Sequence, residues 1–324
     1  MNLCIVRRKA RCCEGSFALK ILIVGCGGIG GFLGARLAHA GYDVHFVARG
    51  ATLAALRDTG LSLRSPFGDL LISRVQASDN ATTLADADVV FNCVKLWDDD
   101  SAFAAISHVV SAHTAIVSFQ NGVRAVESIA ARFSPSSVIG GACYVSAQVE
   151  NPGCIFHSGR LQRFIIGELN GAESGRVVAI GNALTQAGLD TQVSRDIRKN
   201  IWEKFVFLVV LSGATTAMRS SIGPIRQDYY ARAFLYGLLQ EATAIARVRS
   251  IGLDPDFADR QMEFMDTLPP EMTSSMYADL LNRKPLELRW LSEDIANLGL
   301  ELNVPTPLNA AVRDVLSLYR AGEQ

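Results

Sequence analysis

The residues best suited to chemistry begin with three glycines near the N-terminus, spaced to approach a phosphate. Gly25, Gly27 and Gly30 form a G-x-G-x-x-G motif between an apolar run, residues 21–24, and a helical pattern. In such a turn the first glycine allows the sharp bend, the second lets a pyrophosphate approach the backbone, and the third lets helix and strand pack closely. The helix N-terminus adds free N–H groups and a favourable dipole. We therefore predict dinucleotide binding by the whole turn: Gly25, Cys26, Gly27, Gly28, Ile29 and Gly30.

A basic residue follows the second predicted strand, residues 42–47, where the adenosine ribose would lie. An NAD-binding protein usually carries an acidic residue at this strand end, roughly 20 residues past the glycines, to hold the ribose 2′-hydroxyl. This chain has no acid there and carries Arg49 instead. A guanidinium suits a 2′-phosphate, so we predict that the cofactor is NADP(H). The alternative is a solvated surface arginine.

Two further polar residues follow predicted strands. Lys95 comes after a buried strand over residues 87–94, and Asn121 comes after a strand over residues 115–119. Ligands of open α/β sheets bind beyond the carboxyl ends of the strands. We therefore expect Lys95 to meet a phosphate or the nicotinamide ribose, and Asn121 to lie at the ligand, although an Asn-Gly pair is often only a turn.

A lysine opens the most apolar helical stretch. Lys204, Leu208 and Ser212 share one helix face by their four-residue spacing. An ammonium held there could serve as a proton donor, and the alternative is a lysine whose charged end reaches solvent. Further on, Ser275 precedes a predicted helix, and Glu287 lies twelve residues after Ser275. Taken alone, these two would be a helix cap and a residue on a solvated face.

The elements that must position these residues divide the chain into parts. Strands and helices alternate up to residue 193, which predicts an α/β, Rossmann-type dinucleotide-binding domain. From residue 196 onward the pattern is all helical. We predict an N-terminal arm over residues 1–18, an NADP-binding Rossmann domain over 19–195, and a helical substrate and catalytic domain over 196–324. Two domains are also what a chain of 324 residues leads us to expect.

Within the first domain, the pattern predicts several smaller elements. A hairpin is expected from residues 61–64 and 70–75, and short separate strands are expected at residues 138–145, 154–158 and 163–166.

Composition excludes several classes of protein. The 31 basic and 32 acidic residues leave a net charge of −1, which favours neither nucleic acid nor an anionic membrane as a partner. The basic arm lacks the apolar segment of a signal peptide. Seven cysteines lack a paired C-x-x-C spacing, so we expect no metal site, no disulfide framework and a cytoplasmic location. The oligomeric state is left open, with a homodimer among the alternatives.

Taken together, these residues resemble the ketopantoate reductases (2-dehydropantoate 2-reductases), over residues 20 to about 320. The resemblance implies an NADP-type Rossmann domain, a helical domain, and an active site in the cleft between them. It implies that Lys204 is the catalytic lysine and Glu287 the active-site glutamate, which would orient the substrate hydroxyl or stand beside the lysine. It also implies that Asn121 lies near nicotinamide and substrate, and that Ser275 binds substrate. Arg49 and Lys95 match the family's cofactor contacts.

The chain departs from the family pattern on the substrate side. The family commonly has asparagines where this chain has Leu208 and Ser212, and often has Asn-Gly where this chain has Ser292 and Glu293. Substrate discrimination is built from such buried hydrogen bonds. We predict an NADPH-dependent reductase of a small 2-oxo acid, foremost ketopantoate to pantoate, in pantothenate biosynthesis. The alternatives are a more apolar keto substrate, or an NADP-binding sensor without turnover.

Overall fold

The computed structural model describes residues 19–322 with the exception of residues 82, 83 and 85. The predicted arm over residues 1–18 therefore lies outside the described residues.

The strands and helices follow in chain order. The strands are β1 (Lys20–Val24), β2 (Asp43–Val47), β3 (Leu61–Arg64), β4 (Leu70–Ile72), β5 (Gln76–Ser78), β6 (Val89–Asn92), β7 (Ala115–Ser118), β8 (Val138–Asn151), β9 (Cys154–Gly167) and β10 (Asp190–Val193). The α-helices are α1 (Gly28–His39), α2 (Gly50–Asp58), α3 (Asp99–Ile106), α4 (Ala125–Arg132), α5 (Gly175–Gln186), α6 (Ile197–Met218), α7 (Ile222–Gln227), α8 (Tyr229–Val248), α9 (Phe257–Thr267), α10 (Ser275–Leu281), α11 (Ser292–Leu302) and α12 (Pro307–Leu316). Short 3₁₀ turns include Leu96–Asp98 and Glu287–Trp290.

The centre of the first half is a parallel sheet in the order β5-β2-β1-β6-β7-β8. β1 lies between β2 and β6, with Ile21 paired to both Val44 and Val89. Ile21 and its three successors in β1 are at most 1% exposed. A parallel strand covered by helices on both faces needs apolar residues at every position, which explains why this segment is a continuous apolar run. The α/β fold class predicted from the sequence is confirmed.

The sheet continues past β8 into a long antiparallel hairpin. β8 and β9 are 14 residues each, so the short separate strands expected between residues 138 and 166 are wrong. The apolar pattern ends early because residues 146–151 lie on the exposed half of β8, while backbone pairing with β9 continues there through register shifts. By contrast, the predicted hairpin forms from β3 and β4, although β4 ends at Ile72 and not at residue 75.

The second half is built around α6. This helix has the length and apolar composition of a membrane span, but 67% of its most apolar window is buried inside the protein. Phe205, Val206, Val209 and Val210 lie in a core shared with the other helices. Asp196 caps its N-terminus by accepting from the Lys199 N–H at 3.1 Å. α6 is therefore the core helix of the helical half.

Charged pairs join the two halves. Arg124, just before α4, donates to Asp294 of α11 from Nε at 2.8 Å, and its Nη2 lies 2.8 Å from the same carboxylate oxygen. Burial raises the pKa of the Asp294 carboxyl, and the Arg124 guanidinium opposes that rise. A second pair joins Arg249, after α8, to Glu127 of α4 at 2.6 Å. The Asp294 side chain is only 7% exposed, whereas Glu127 is 49% exposed. Breaking the Arg124–Asp294 pair should therefore cost more folding free energy than breaking the Arg249–Glu127 pair.

Replacing Arg124 with methionine should lower the free energy of unfolding by about 1–3 kcal/mol at pH 7, since it leaves a buried carboxylate unpaired. Loss of Arg124 raises the pKa of Asp294 further above its ordinary value. The deficit should therefore be largest where the carboxyl is ionised and shrink as the pH falls and it takes up a proton. Urea denaturation of both proteins between pH 4.5 and 8 measures this.

The matched control is Arg195→Met, because the pair of Arg195 with Glu173 is exposed at both side chains. That change should cost less than about 0.5 kcal/mol at any pH. Equal stability of Arg124→Met and the native protein at pH 7 would contradict the assignment.

Candidate functional site

A cavity of about 340 Å³ opens where β1 and β2 end. One wall is the turn around Gly27, and another is the end of β2 with Arg49 and Thr52. The start of α3, with Ser101, and Val149 of β8 complete the lining. The cavity therefore lies at the carboxyl edge of the parallel strands, where open α/β sheets bind their ligands.

The glycine turn combines a positive φ, a close contact between helix and strand, and open space on its cavity side. Gly25 has φ +91°, which favours glycine. A Cβ at Gly30 would lie 2.0 Å from the Gly25 carbonyl oxygen, so helix and strand meet there without side chains. A Cβ at Gly27 would meet nothing within 4 Å, because this residue faces the open cavity. Gly27 also precedes α1 without a side-chain cap, which leaves the helix N–H groups for a phosphate.

Arg49 lies on the cavity wall with its guanidinium directed across to α3. Its Nη1 donates to the Ser101 hydroxyl and its Nη2 to the Ser101 carbonyl, both at 3.2 Å. Asp98 reaches the same wall from the turn before α3, an acid that the strand-end argument missed. Its position three residues after Lys95, beyond the end of β6, is the sequence signal that could have placed it there.

Three of the predicted site residues meet across the boundary between the two halves. Lys95 Nζ lies 2.6 Å from Glu287 Oε2, and Asn121 Nδ2 donates to the same oxygen at 3.5 Å. Lys95 follows β6, Asn121 lies beyond β7, and Glu287 opens a 3₁₀ turn of the helical half. The Glu287 side chain is only 4% exposed. A buried carboxylate is thus neutralised by a cation from the opposite half of the chain.

Lys204 has no ion pair with this cluster. It is buried in α6, at 8% exposed, and its ammonium forms no ion pair or hydrogen bond with any residue in the described part of the chain. Its charge opposes the rise that burial causes in the pKa of the Cys143 thiol on β8. The expected pairing of Glu287 with Lys204 is not formed in this structure, where Glu287 Oε2 contacts Lys95 and Asn121 instead.

The remaining predicted substrate residues lie on α6 and at α10. Leu208 is partly buried and Ser212 is 3% exposed, one and two turns after Lys204. Ser275 is an exposed first residue of α10. Its neighbour Ser274 is the buried one, and its hydroxyl lies 2.9 Å from the Thr215 hydroxyl while capping α10. The structure thus turns Ser274, not Ser275, toward α6.

A buried polar network, missed by the sequence analysis, supports the loop that carries Asn121. Asp99 accepts from Asn92 Nδ2 at 3.0 Å and from Gln120 Nε2 at 2.7 Å. Burial raises the pKa of the Asp99 carboxyl, and the two amide hydrogen bonds oppose the rise. Because Asn92 ends β6 and Gln120 follows β7, the network holds neighbouring strand ends together directly beneath the cluster.

Two tryptophans flank the cluster. The rings of Trp97 and Trp290 lie 5.6 Å apart between centroids, one from each half of the chain. Lys95 Nζ is also 5.6 Å from the centroid of the Trp97 ring. The carboxylate cluster therefore opens beside an aromatic wall, which no spacing rule in the sequence indicated.

Replacing Gly27 with valine should abolish dinucleotide binding and leave the fold intact. Its φ of −81° and ψ of −162° suit any residue, and its side chain would project into the cavity that the pyrophosphate needs. Fluorescence titration with NADPH, together with thermal unfolding, measures both effects. Gly28→Ala is the contrasting variant, since its Cβ would lie 2.0 Å from the Ala147 carbonyl oxygen and should destabilise the protein instead. Native NADPH affinity in Gly27→Val would show that the cavity is not the cofactor site.

Family models match the chain over most of its length. The model described as ketopantoate reductase PanE/ApbA matches residues 21–171, and the ketopantoate reductase PanE/ApbA C-terminal model matches residues 196–320.

Individual proteins match over nearly the whole chain. The chain is 33% identical to the 2-dehydropantoate 2-reductase of Mesorhizobium japonicum, over 93% of this chain and 97% of that protein. The crystal structure of 2-dehydropantoate 2-reductase from Geobacter metallireducens is 26% identical with a TM-score of 0.85, over 93% and 99% of the two chains.

A more distant structure shares the fold. A ternary complex of D-mandelate dehydrogenase with NADH and anilino(oxo)acetate is 19% identical with a TM-score of 0.83, over 93% and 98% of the two chains. On the two family models and the Mesorhizobium relative, the chain belongs to the ketopantoate reductase family, whose members are oxidoreductases acting on CH–OH groups.

Proposed function

We propose that the protein is an NADPH-dependent reductase that converts a small 2-oxo acid, foremost 2-dehydropantoate, into the 2-hydroxy acid. The observation that supports this best is the Lys95–Glu287–Asn121 cluster, which joins the strand ends of the dinucleotide-binding half to the helical half. The relatives named 2-dehydropantoate 2-reductase support the reaction and the substrate class.

NADPH is supported by the two ends of the cavity. The turn at Gly27 leaves room for the pyrophosphate, and Arg49 offers a guanidinium to a 2′-phosphate. When bound, the reduced nicotinamide supplies a hydride for the substrate carbonyl carbon. Lys95 and Asn121, at the strand ends, would contact the nicotinamide ribose and the substrate.

Lys204 is the proposed proton donor. Its ammonium would donate a hydrogen bond to the substrate carbonyl oxygen and give up its proton as that oxygen becomes an alkoxide. A buried ammonium without a carboxylate partner is costly. The carboxylate and carbonyl oxygens of a 2-oxo acid would offset that cost, so the lack of a partner within the described residues supports an anionic substrate.

Glu287 is the proposed acceptor for a substrate hydroxyl. Its Oε2 is occupied by Lys95 and Asn121, while its Oε1 accepts no hydrogen bond from a residue in the described part of the chain. The primary hydroxyl of 2-dehydropantoate could donate to Oε1. Lys95 would hold the carboxylate in position for this contact.

A more apolar keto substrate is the second candidate. It is favoured by Leu208 at a position where the family commonly has asparagine, and by the Trp97–Trp290 wall beside Glu287. These side chains would bury apolar substrate surface that an asparagine would leave unmatched. A sensor that binds NADPH without turnover is the remaining alternative.

Lys204→Ala should lower kcat by roughly 10²- to 10⁴-fold, the usual contribution of a general acid, and leave NADPH affinity nearly unchanged. The measurement is NADPH oxidation over a panel of 2-oxo acids that includes 2-dehydropantoate and aromatic members, with parallel reactions in NADH. Lys199→Ala is the matched control, because Lys199 is on the same helix and pairs with Asp254 instead.

Three outcomes would contradict the proposal. A kcat within a few-fold of the native enzyme in Lys204→Ala would assign the proton to another donor. Turnover with NADH equal to that with NADPH would remove the cofactor preference. NADPH binding without oxidation by any keto acid in the panel would favour the sensor.

Leu208→Asn separates the two substrate classes. If the pocket accepts 2-dehydropantoate, a restored hydrogen-bond donor should raise kcat/KM for that acid. If the pocket accepts an apolar keto acid, the same change should lower kcat/KM for the apolar acid. Leu208→Met, which preserves volume and apolar character, is the control and should change neither value by more than a few-fold. Unchanged kinetics for every acid in Leu208→Asn would show that this side chain does not face the cleft.

A further inference from the structure

We propose that Ser101 is a positioning residue that holds the Arg49 guanidinium ready for the 2′-phosphate of the dinucleotide. The inference rests on the NADPH assignment of the proposed function and adds to it a residue on a different element. Ser101 lies in the first turn of α3, whereas Arg49 precedes α2. Both residues line the same cavity as Gly27.

The Ser101 hydroxyl is arranged to accept from Arg49 and not to bind a phosphate itself. Its Oγ donates its single proton to the Asp98 carbonyl oxygen at 2.9 Å. The oxygen lone pairs are therefore the groups it presents to Arg49 Nη1 at 3.2 Å. A phosphate needs donors, so the serine hydroxyl favours phosphate binding through the arginine and not by a direct contact.

The contact leaves one edge of the guanidinium available. The Nη1 and Nη2 groups donate to the Ser101 hydroxyl and carbonyl oxygens, while Nε has no hydrogen-bond partner within the described residues. The edge formed by Nε and the second proton of Nη2 can still make the two parallel hydrogen bonds that arginine forms with phosphate. Ser101 thus orients the guanidinium without occupying the phosphate-binding edge.

The contact also separates Arg49 from nearby carboxylates. Asp98, Asp99 and Asp100 are consecutive just before Ser101, and Asp98 lies on the cavity wall. A mobile guanidinium would be attracted to these acids, yet Arg49 forms no ion pair with a carboxylate in the described part of the chain. Its positive charge is therefore left for the ligand.

An exposed arginine otherwise loses side-chain freedom when it binds. Fixing one such side chain in advance is worth roughly a 2- to 10-fold gain in affinity. Only ligands that carry the 2′-phosphate should gain it, because the rest of the dinucleotide contacts other parts of the cavity. This predicts an effect that is selective for the phosphate.

Isothermal titration calorimetry with 2′,5′-ADP and with 5′-AMP isolates that effect without requiring turnover. In the native protein, 2′,5′-ADP should bind more tightly. Ser101→Ala should weaken 2′,5′-ADP by roughly 2- to 10-fold and leave 5′-AMP unchanged. Ser101→Thr, which keeps the hydroxyl, should behave like the native protein. In an Arg49→Met background, Ser101→Ala should have no further effect, because the serine acts through the arginine.

The outcomes distinguish a failure of the NADPH assignment from a failure of the role of Ser101. If Arg49→Met leaves the ratio of the two affinities unchanged, the NADPH assignment fails and this inference fails with it. If Arg49→Met lowers the ratio but Ser101→Ala does not, only the role of Ser101 is overturned. A loss in Ser101→Ala that persists in the Arg49→Met background, or that is equal for 5′-AMP, would also overturn it, because it would show a direct or merely structural effect.

Discussion

The Glu287 carboxylate is buried, and the position of one half of the chain relative to the other depends on how its charge is compensated. A buried carboxylate without a cation is strongly unfavourable. Lys95, which follows β6, supplies the cation: its Nζ lies 2.6 Å from Glu287 Oε2. The pair therefore favours arrangements in which the 3₁₀ turn Glu287–Trp290 lies directly over the carboxyl edge of the sheet. The cavity at the ends of β1 and β2 opens at the same edge of the sheet.

Other contacts support this arrangement. The Arg124–Asp294 pair also crosses the boundary, and the Asn92–Asp99–Gln120 network holds the ends of β6 and β7 together. Charged, amide and aromatic groups therefore meet at the boundary, and apolar packing crosses it as well, since a Cβ at Gly140 of β8 would lie 2.8 Å from Ile197 Cγ1 of α6. Each half also has apolar clusters of its own.

Lys204 is a buried cation without a paired carboxylate among the described residues. Among the described residues, no carboxylate pairs with the Lys204 ammonium in the apolar surroundings of α6. Glu287, by contrast, is already paired with Lys95. The two charges proposed to act on substrate are therefore held separately: the carboxylate is neutralised and the ammonium is left to interact with an anion. Leu208 and Ser212 continue the same helix face one and two turns after Lys204, so in the proposed function these few side chains would distinguish one keto substrate from another.

The sequence by itself determined the features that depend on local pattern. A continuous apolar strand, a glycine turn and a following helix determine the dinucleotide-binding half, because backbone geometry and burial on both faces restrict the residues at each position. Likewise, the placement of Lys95 and Asn121 at the carboxyl edge of the sheet follows from their positions after β6 and β7. By contrast, hydrophobic periodicity could not give the length of β8 and β9, since backbone pairing continues where the side chains are exposed.

Only the tertiary structure decided which charges meet. Lys95 and Glu287 are 192 residues apart, and no spacing rule distinguishes Lys95 from Lys204 as the partner of that carboxylate. The choice between Ser274 and Ser275 was equally inaccessible, because it depends on where α10 begins: Ser274 is the buried N-cap that contacts α6, and Ser275 is the exposed first residue of the helix. The meeting of Arg49 with Ser101 depends on α3 packing beside the end of β2. These features result from the packing of distant elements, and local sequence carries no information about it.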